Sequence, residues 1–178
     1  HPQLPVFGVI EPGAAAAVEA SASRRIAVIA TQATVLGRAY ERAIARLAPD
    51  AQVQSLACAL FVALAEEGWT QGPIAAAIAR RYLHGVFDVP QPPDTLVLGC
   101  THFPLLAQAI GAALPPDVRL VDSAATTADA VQAALGEGEG EVGGMRWLAT
   151  DDAARFAAVG SRFLGDDIDA TEVEIVDL

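Results

Sequence analysis

The sequence predicts an α/β fold, with mostly parallel sheets covered by helices on both faces. Strand-like and helix-like segments alternate along the whole chain. The strand-like segments are apolar runs such as "RIAVIA" and "TLVLG" rather than apolar–polar alternations, as expected of strands buried on both faces. Several runs give way directly to a cap or helix-forming segment, the pattern of βα units.

Taken in order, "PVFGVI" (5–10) reads as a strand, and "EPGAAAAVEAS" (11–21) as a turn and helix with Pro12 at the first helical position. "RIAVIA" (25–30) is a buried strand. From Thr34, apolar residues recur at helical spacing through Leu47, and the helix ends before Pro49. "VQSLAC" (53–58) is a strand, and "ALFVALAEEGW" (59–69) fits either a short helix or a loop. "PIAAAIARRYL" (73–83) is a helix, "TLVLG" (95–99) a strand, and "PLLAQAIGAAL" (104–114) a helix. "VRLVD" (118–122) is a strand. "SAATTADAVQAAL" (123–135) is a helix with Ser123 as its N-cap. "GEGEGEVGG" (136–144) reads as a flexible acidic linker. "MRWLAT" (145–150), 151–163 and "VEIVDL" (173–178) read as strand, helix and strand.

Composition removes several function classes. The 178 residues carry a net charge of −11, which argues against a nucleic-acid backbone or an anionic membrane surface as partner. All 11 basic residues are arginine. Without lysine, the chain alone can neither form a pyridoxal-type Schiff base nor complete a Walker-type phosphate loop. No apolar run approaches a membrane span and no signal peptide is visible, so a cytoplasmic location is expected. The chain begins with His1, and a natural start further upstream is expected.

Ligands of open α/β sheets bind outside the carboxyl ends of the strands. There the chain places "GCTH" (99–102). Gly99 allows close approach, Cys100 sits at an expected helix start whose amides favour a thiolate, and Thr101 adds a hydroxyl. His102 can hold or move a proton. A lone cysteine is more often a buried structural residue; the company of glycine, hydroxyl and imidazole reverses that reading. Cys58, in "LACALF", reads as structural. Cys58, Cys100, His84 and His102 lack zinc-ligand spacing, so no metal is expected. Glu66 and Glu67 form either a solvated turn or the carboxylate that orients a histidine. Thr31 and Thr34 follow the 25–30 strand as helix caps or anion contacts, Thr34 being the stronger cap candidate. The edges "IAVIATQATVLGRA" and "TLVLGCTHFPLLAQA" form a weak internal echo.

"LVLGCTHFPLL" resembles the signature around the second catalytic cysteine of the glutamate racemases. "VFGVIEPGAAAAVEA", "ATQATVLGRAYERAI", "ACALFVALAEEGW", "VRLVDSAATTADAV" and "RFLG…VEIVDL" sit in that family's order and spacing. The resemblance implies two similar α/β domains with the active site between them. It implies cofactor-independent racemisation of glutamate, in which two cysteines on opposite faces exchange the α-proton, supplying D-glutamate for peptidoglycan. Cys100 would be one of the pair, assisted by His102 and Glu66, with Thr101, Thr31 and Thr34 contacting substrate.

The family's Asp-Ser-Gly edge and its Cys-Asn-Thr block with the first cysteine do not occur here. The resemblance therefore implies one complete domain, 5–112, and only the C-terminal part of a second, 113–178. The chain alone is expected to be inactive. Its 118–178 region is expected to be disordered, self-associated as a homo-oligomer, or paired with a missing N-terminal piece. A related aspartate or amino-acid racemase, or a truncated non-catalytic binding module, are the alternative readings.

Overall fold

The computed structural model describes residues 5–136 and 144–177, in two compact units spanning His1–Gly136 and Glu137–Leu178. In the first unit the element order is α1 (Ile10–Ala20), β1 (Arg25–Ala30), α2 (Gln32–Leu36), α3 (Ala39–Leu47), β2 (Gln52–Ala57), α4 (Ala59–Glu66), α5 (Gly72–Phe87) and β3 (Thr95–Leu98). A 3-10 turn (Phe103–Leu106), α6 (Ala107–Gly111), β4 (Arg119–Asp122) and α7 (Ser123–Leu135) follow. The strands pair in the order β2-β1-β3-β4, all parallel. This is the α/β arrangement that the apolar strands predicted.

The two faces of the sheet sort by residue parity along β1. Ile26 and Val28 join Val97, Ala14, Ala17, Tyr40 and Ile44 in one core. Ala27 and Ile29 join Leu96, Leu98, Phe61, Leu83, Phe103 and Ile110 in the other. Side chains alternate across a strand, so a strand buried on both sides must be apolar at every position. Because β1→β2 and β3→β4 progress in opposite directions across the sheet, the strand order switches between β1 and β3. A crevice at the carboxyl ends of such neighbours is where open α/β sheets hold ligands.

Several elements differ from the sequence reading. Residues 5–9 form no strand, and α1 begins at Ile10; Val6 is 91% exposed and gains nothing from strand burial there. The helix expected from Thr34 to Leu47 breaks at Gly37–Arg38, where Arg38 adopts a left-handed conformation (φ 49°). Residues 59–66 are helical. The continuous helix expected over 104–114 is instead a 3-10 turn followed by the short α6. Pro104, without an N–H, sits in that first turn, and Leu105 closes a tighter bond to the carbonyl of His102 at 3.3 Å.

The expected boundary at 112/113 falls at 136/137. β4 is in register with β3, from Thr95↔Arg119 to Leu98↔Asp122, so it completes this sheet instead of starting another domain. The expectation that 118–178 lacks sheet partners fails for β4 on the same ground.

The second unit comprises β5 (Trp147–Ala149), α8 (Ala153–Leu164), a 3-10 turn (Ala170–Glu172) and β6 (Val173–Ile175). β5 and β6 pair in parallel. Ala157, Ile168 and Val173 form a small core with Trp147 and Phe156, whose rings lie 6.4 Å apart. Asp152 caps α8 by accepting from the Arg155 amide at 3.0 Å. Most of the linker expected at 136–144 lies outside the described residues.

Candidate functional site at the carboxyl ends of β1 and β3

Two helix-ending signals place the acidic member of the site. The α4 segment closes with Glu67 at the C-cap and Gly68 in the left-handed region (φ 75°). The Gly68 amide donates to Ala65 O at 3.1 Å and the Trp69 amide to Leu64 O at 2.8 Å, the paired bonds of a Schellman cap. Glu66 is therefore the last helical residue. Phe61, five residues earlier on the same helix, packs edge-on against Phe103 at 5.3 Å and Tyr82 at 5.1 Å. That buried aromatic contact docks α4 on the turn that follows Cys100.

The result is a row of three groups. Glu66 Oε1 lies 3.4 Å from His102 Nε2. His102 Nδ1 lies 3.9 Å from Cys100 Sγ and 3.4 Å from Thr101 Oγ1. The Glu66 and His102 side chains are 31% and 25% exposed, so the contact is partly shielded from solvent. With a carboxylate on the Nε2 side, Nδ1 is the nitrogen that faces the sulfur. Glu67, by contrast, is exposed at the helix end.

Burial pushes the Cys100 thiol up; the amides of His102 and Phe103 and the Thr101 hydroxyl pull against this by bonding to sulfur. The rise runs against the lowered thiol expected from a helix start. The short 3-10 turn presents individual amides, and a four-residue element has too few aligned peptides for the dipole of a full helix. Cys58 is 0% exposed, and burial raises its thiol to about 12. It packs in the core as a small hydrophobe, in line with its structural reading.

Thr31 and Thr34 come together at the exit of β1, their hydroxyls 3.1 Å apart. Thr31, not Thr34, is the N-cap: its extended backbone precedes Gln32, and its hydroxyl accepts from the Thr34 amide at 3.4 Å. Thr31 and Cys100 each lie two residues beyond the paired residues Ile29 and Leu98, so both threonines flank the β1–β3 switch.

Sequence reasoning missed the floor of the site. Tyr40 of α3 is 1% exposed and lies directly beneath Gly99, where an added Cβ would come within 2.8 Å of the ring. Its buried hydroxyl sits near Ser123 but has no hydrogen bond of normal geometry. Burial raises this phenol to about 12, with Ser123 acting in the opposite direction and the nearby Cys100 and Glu11 adding to the rise. Ser123, expected to cap α7, instead donates to Leu98 O at 2.6 Å; Asp122 is the cap, accepting from Ala124 N at 2.7 Å. The helical spacing of Tyr40 was a signal only of burial, and nothing local distinguishes Ser123 from a cap.

Clefts of about 460 and 400 Å³ lie against α5, lined in part by Arg80 and His84, and neither includes Cys100. His84 pairs with Asp88 at 3.5 Å within α5. Among the described residues no three His, Cys, Asp or Glu side chains gather in a manner suited to a metal ion. No helix of the described residues is long and apolar enough to cross a membrane.

The doubly wound sheet brings thiol, imidazole and carboxylate into one row at its switch point, where open α/β sheets hold ligands. Residues 1–131 match the Asp/Glu/hydantoin racemase family, and the chain belongs to that family. It is 47% identical over 167 residues to a glutamate racemase of Geobacter metallireducens, covering 91% of this chain and 61% of that protein. A glutamate racemase of Syntrophus aciditrophicus is 41% identical over 174 residues, covering 95% and 64% respectively. The chain thus spans less than two thirds of the length of these relatives. Among solved structures, a glutamate racemase of Bacillus anthracis superposes with a TM-score of 0.86 at 31% identity, covering 99% of this chain and 66% of that one. A glutamate racemase of Francisella tularensis in complex with D-glutamate gives 0.85 at 31% identity, covering 98% and 65%.

Proposed function

We propose that this chain carries one half of a cofactor-independent glutamate racemase, with Cys100 as the acid–base group for one face of the substrate. The observation that carries the reading is the Glu66–His102–Cys100 row at the β1–β3 switch. Family membership and the names of the relatives supply the substrate class. In one direction a thiolate on one face takes the α-proton of glutamate, leaving a carbanion whose charge spreads into the carboxylate. A thiol on the opposite face then donates its proton to that carbon. Cys100, a half-buried thiol whose pKa is pushed up by partial burial, is suited to the donor role. To act in the reverse direction it must first lose its proton, and His102, oriented by Glu66, is placed to receive it. Thr101, Thr31 and Thr34 bind the substrate carboxylate and amino groups.

The opposing thiol lies outside these 178 residues. Only Cys58 and Cys100 occur, and Cys58 is sealed in the core. One thiol cannot serve both faces, so the 178-residue chain does not racemise by itself. In the whole protein the activity supplies D-glutamate to peptidoglycan synthesis in the cytoplasm. A second thiol would have to face Cys100 across the substrate.

The test follows the α-proton of L- and D-glutamate in D2O, with full-length protein and with the 178-residue chain. Full-length protein should exchange and racemise glutamate, and Cys100→Ser should stop racemisation. Full racemase turnover by the 178-residue chain would refute the two-thiol reading. Turnover of aspartate with glutamate inert would move the assignment to a sister racemase.

A further inference from the structure

The peptide unit joining Leu98 to Gly99 is held on both of its polar atoms. Its N–H donates to Ile29 O of β1 at 2.8 Å. Its carbonyl accepts from the Ser123 hydroxyl at 2.6 Å, and Ser123 is only 3% exposed. β4 ends at Asp122, paired with Leu98, so the ladder supplies no further residue at this level. The Ser123 side chain takes the place of the next backbone donor. A buried carbonyl left unpaired there would be costly, which makes the serine more than an incidental neighbour.

The α-carbon that follows is held sterically. An added Cβ at Gly99 would lie 2.8 Å from Tyr40 Cε2, 3.0 Å from Ile29 O and 3.1 Å from Val28 Cγ1. Gly99 therefore rests against the ring of Tyr40 with no slack. The Tyr40 atom nearest an added Cβ is the ring carbon Cε2, so the ring and not the phenol oxygen is what Gly99 packs against.

We infer that Ser123 and the ring of Tyr40 are positioning residues for Cys100, which clamp the Leu98–Gly99 peptide and thereby set the sulfur against His102. The inference deepens the proposed proton-transfer role of Cys100. Its test, however, reads the thiol directly and needs no racemase activity. Should the chain prove not to be a racemase half, the clamp is still tested.

The experiment measures iodoacetamide alkylation of Cys100 in the 178-residue chain across pH, read by peptide mass so that Cys58 does not contribute. Circular dichroism checks folding of each variant. In Ser123→Ala and Tyr40→Leu the turn relaxes toward water. Alkylation at pH 7 should then rise at least about threefold, the change for a half-unit fall in thiol pKa. Tyr40→Phe should match wild type. A folded Ser123→Ala with unchanged rate and pH profile overturns the inference. So does a Ser123→Ala chain that fails to fold, since that makes the serine a fold residue. If Tyr40→Leu does not fold, Ser123→Ala decides alone. An altered profile in Tyr40→Phe overturns the assignment to the ring.

Discussion

Gly99→Ala isolates the close packing beneath Cys100. Gly99 does not occupy the left-handed region, so alanine is allowed by its backbone. The cost is steric. The new methyl would sit 2.8 Å from Tyr40 Cε2, about 0.7 Å inside the usual carbon–carbon contact of about 3.5 Å. It would also sit 3.0 Å from Ile29 O, an atom fixed in the sheet ladder, and 3.1 Å from Val28 Cγ1. Tyr40 and Val28 are each 1% exposed, so neither can swing into solvent. Overpacking of this kind costs about 1–3 kcal/mol, and two immovable neighbours place it near the top. Loss of glycine entropy in the unfolded chain returns about 0.4–1 kcal/mol. The net is a loss of about 2 kcal/mol, or roughly 4–8 °C in Tm for a chain of this size. Gly85→Ala is the control, because nothing lies within 4 Å of its Cβ in the last turn of α5. It should gain up to about 0.8 kcal/mol from helix propensity, less than in a helix interior. Thermal unfolding by circular dichroism reads both. A Gly99→Ala chain as stable as wild type, beside a stabilised Gly85→Ala, would refute the argument.

Asp94 accepts from the Ser21 hydroxyl and Ser23 amide at 2.6 Å each, and from the Thr95 hydroxyl at 3.1 Å. Burial raises its pKa, but these bonds outweigh it and bring the carboxyl to about 2. Because the folded value is depressed, the stabilisation is present above the ordinary value of 3.8 and is lost as pH falls through about 2. Asp94→Asn should cost about 1–2 kcal/mol in urea unfolding at pH 7, after discount for partial exposure, with the gap closing in acid. Tyr40→Phe removes a buried hydroxyl without a partner, and should leave stability equal or raise it by about 1 kcal/mol; a large loss would mean the hydroxyl is bonded. Cys58 should resist alkylation at pH 8 in the native chain while Cys100 reacts, and equal labelling would contradict its burial. In the full-length protein Glu66→Gln should cut kcat by about 10²–10⁴ with little change in Tm, the range for an impaired acid–base partner.

Where local chemistry decides, the sequence was readable. β1 from Ile26 and β3 from Leu96 are apolar throughout because both faces are buried, and that run of apolar residues is visible in the sequence. Cys100, His102 and Glu66 do converge, although 34 positions separate Cys100 from Glu66 and no periodicity links them. Their convergence depends on Phe61 meeting Phe103, a tertiary contact. The failures have the same origin. "PVFGVI" has strand composition but no neighbour to pair with among the described residues, so it stays irregular. Residues 118–122 look the same whether they finish one sheet or start another; only the pairing with β3 tells. Ser123 has the identity of a cap, yet Leu98 O competes for its hydroxyl and wins.

The parallel sheet carries a kinetic consequence. β1 meets β2 only after α2 and α3 have been traversed, and meets β3 only across α4 and α5, as in Ile26↔Thr95. Such pairings close long loops before contacts repay the entropy, so they form late. Glu66, His102 and the Thr31–Thr34 pair all hang on those late closures. During refolding the Cys100 environment should mature with the final sheet pairing, behind the helical signal. The rate at which its alkylation settles to the native value is then a clock for completion of the fold.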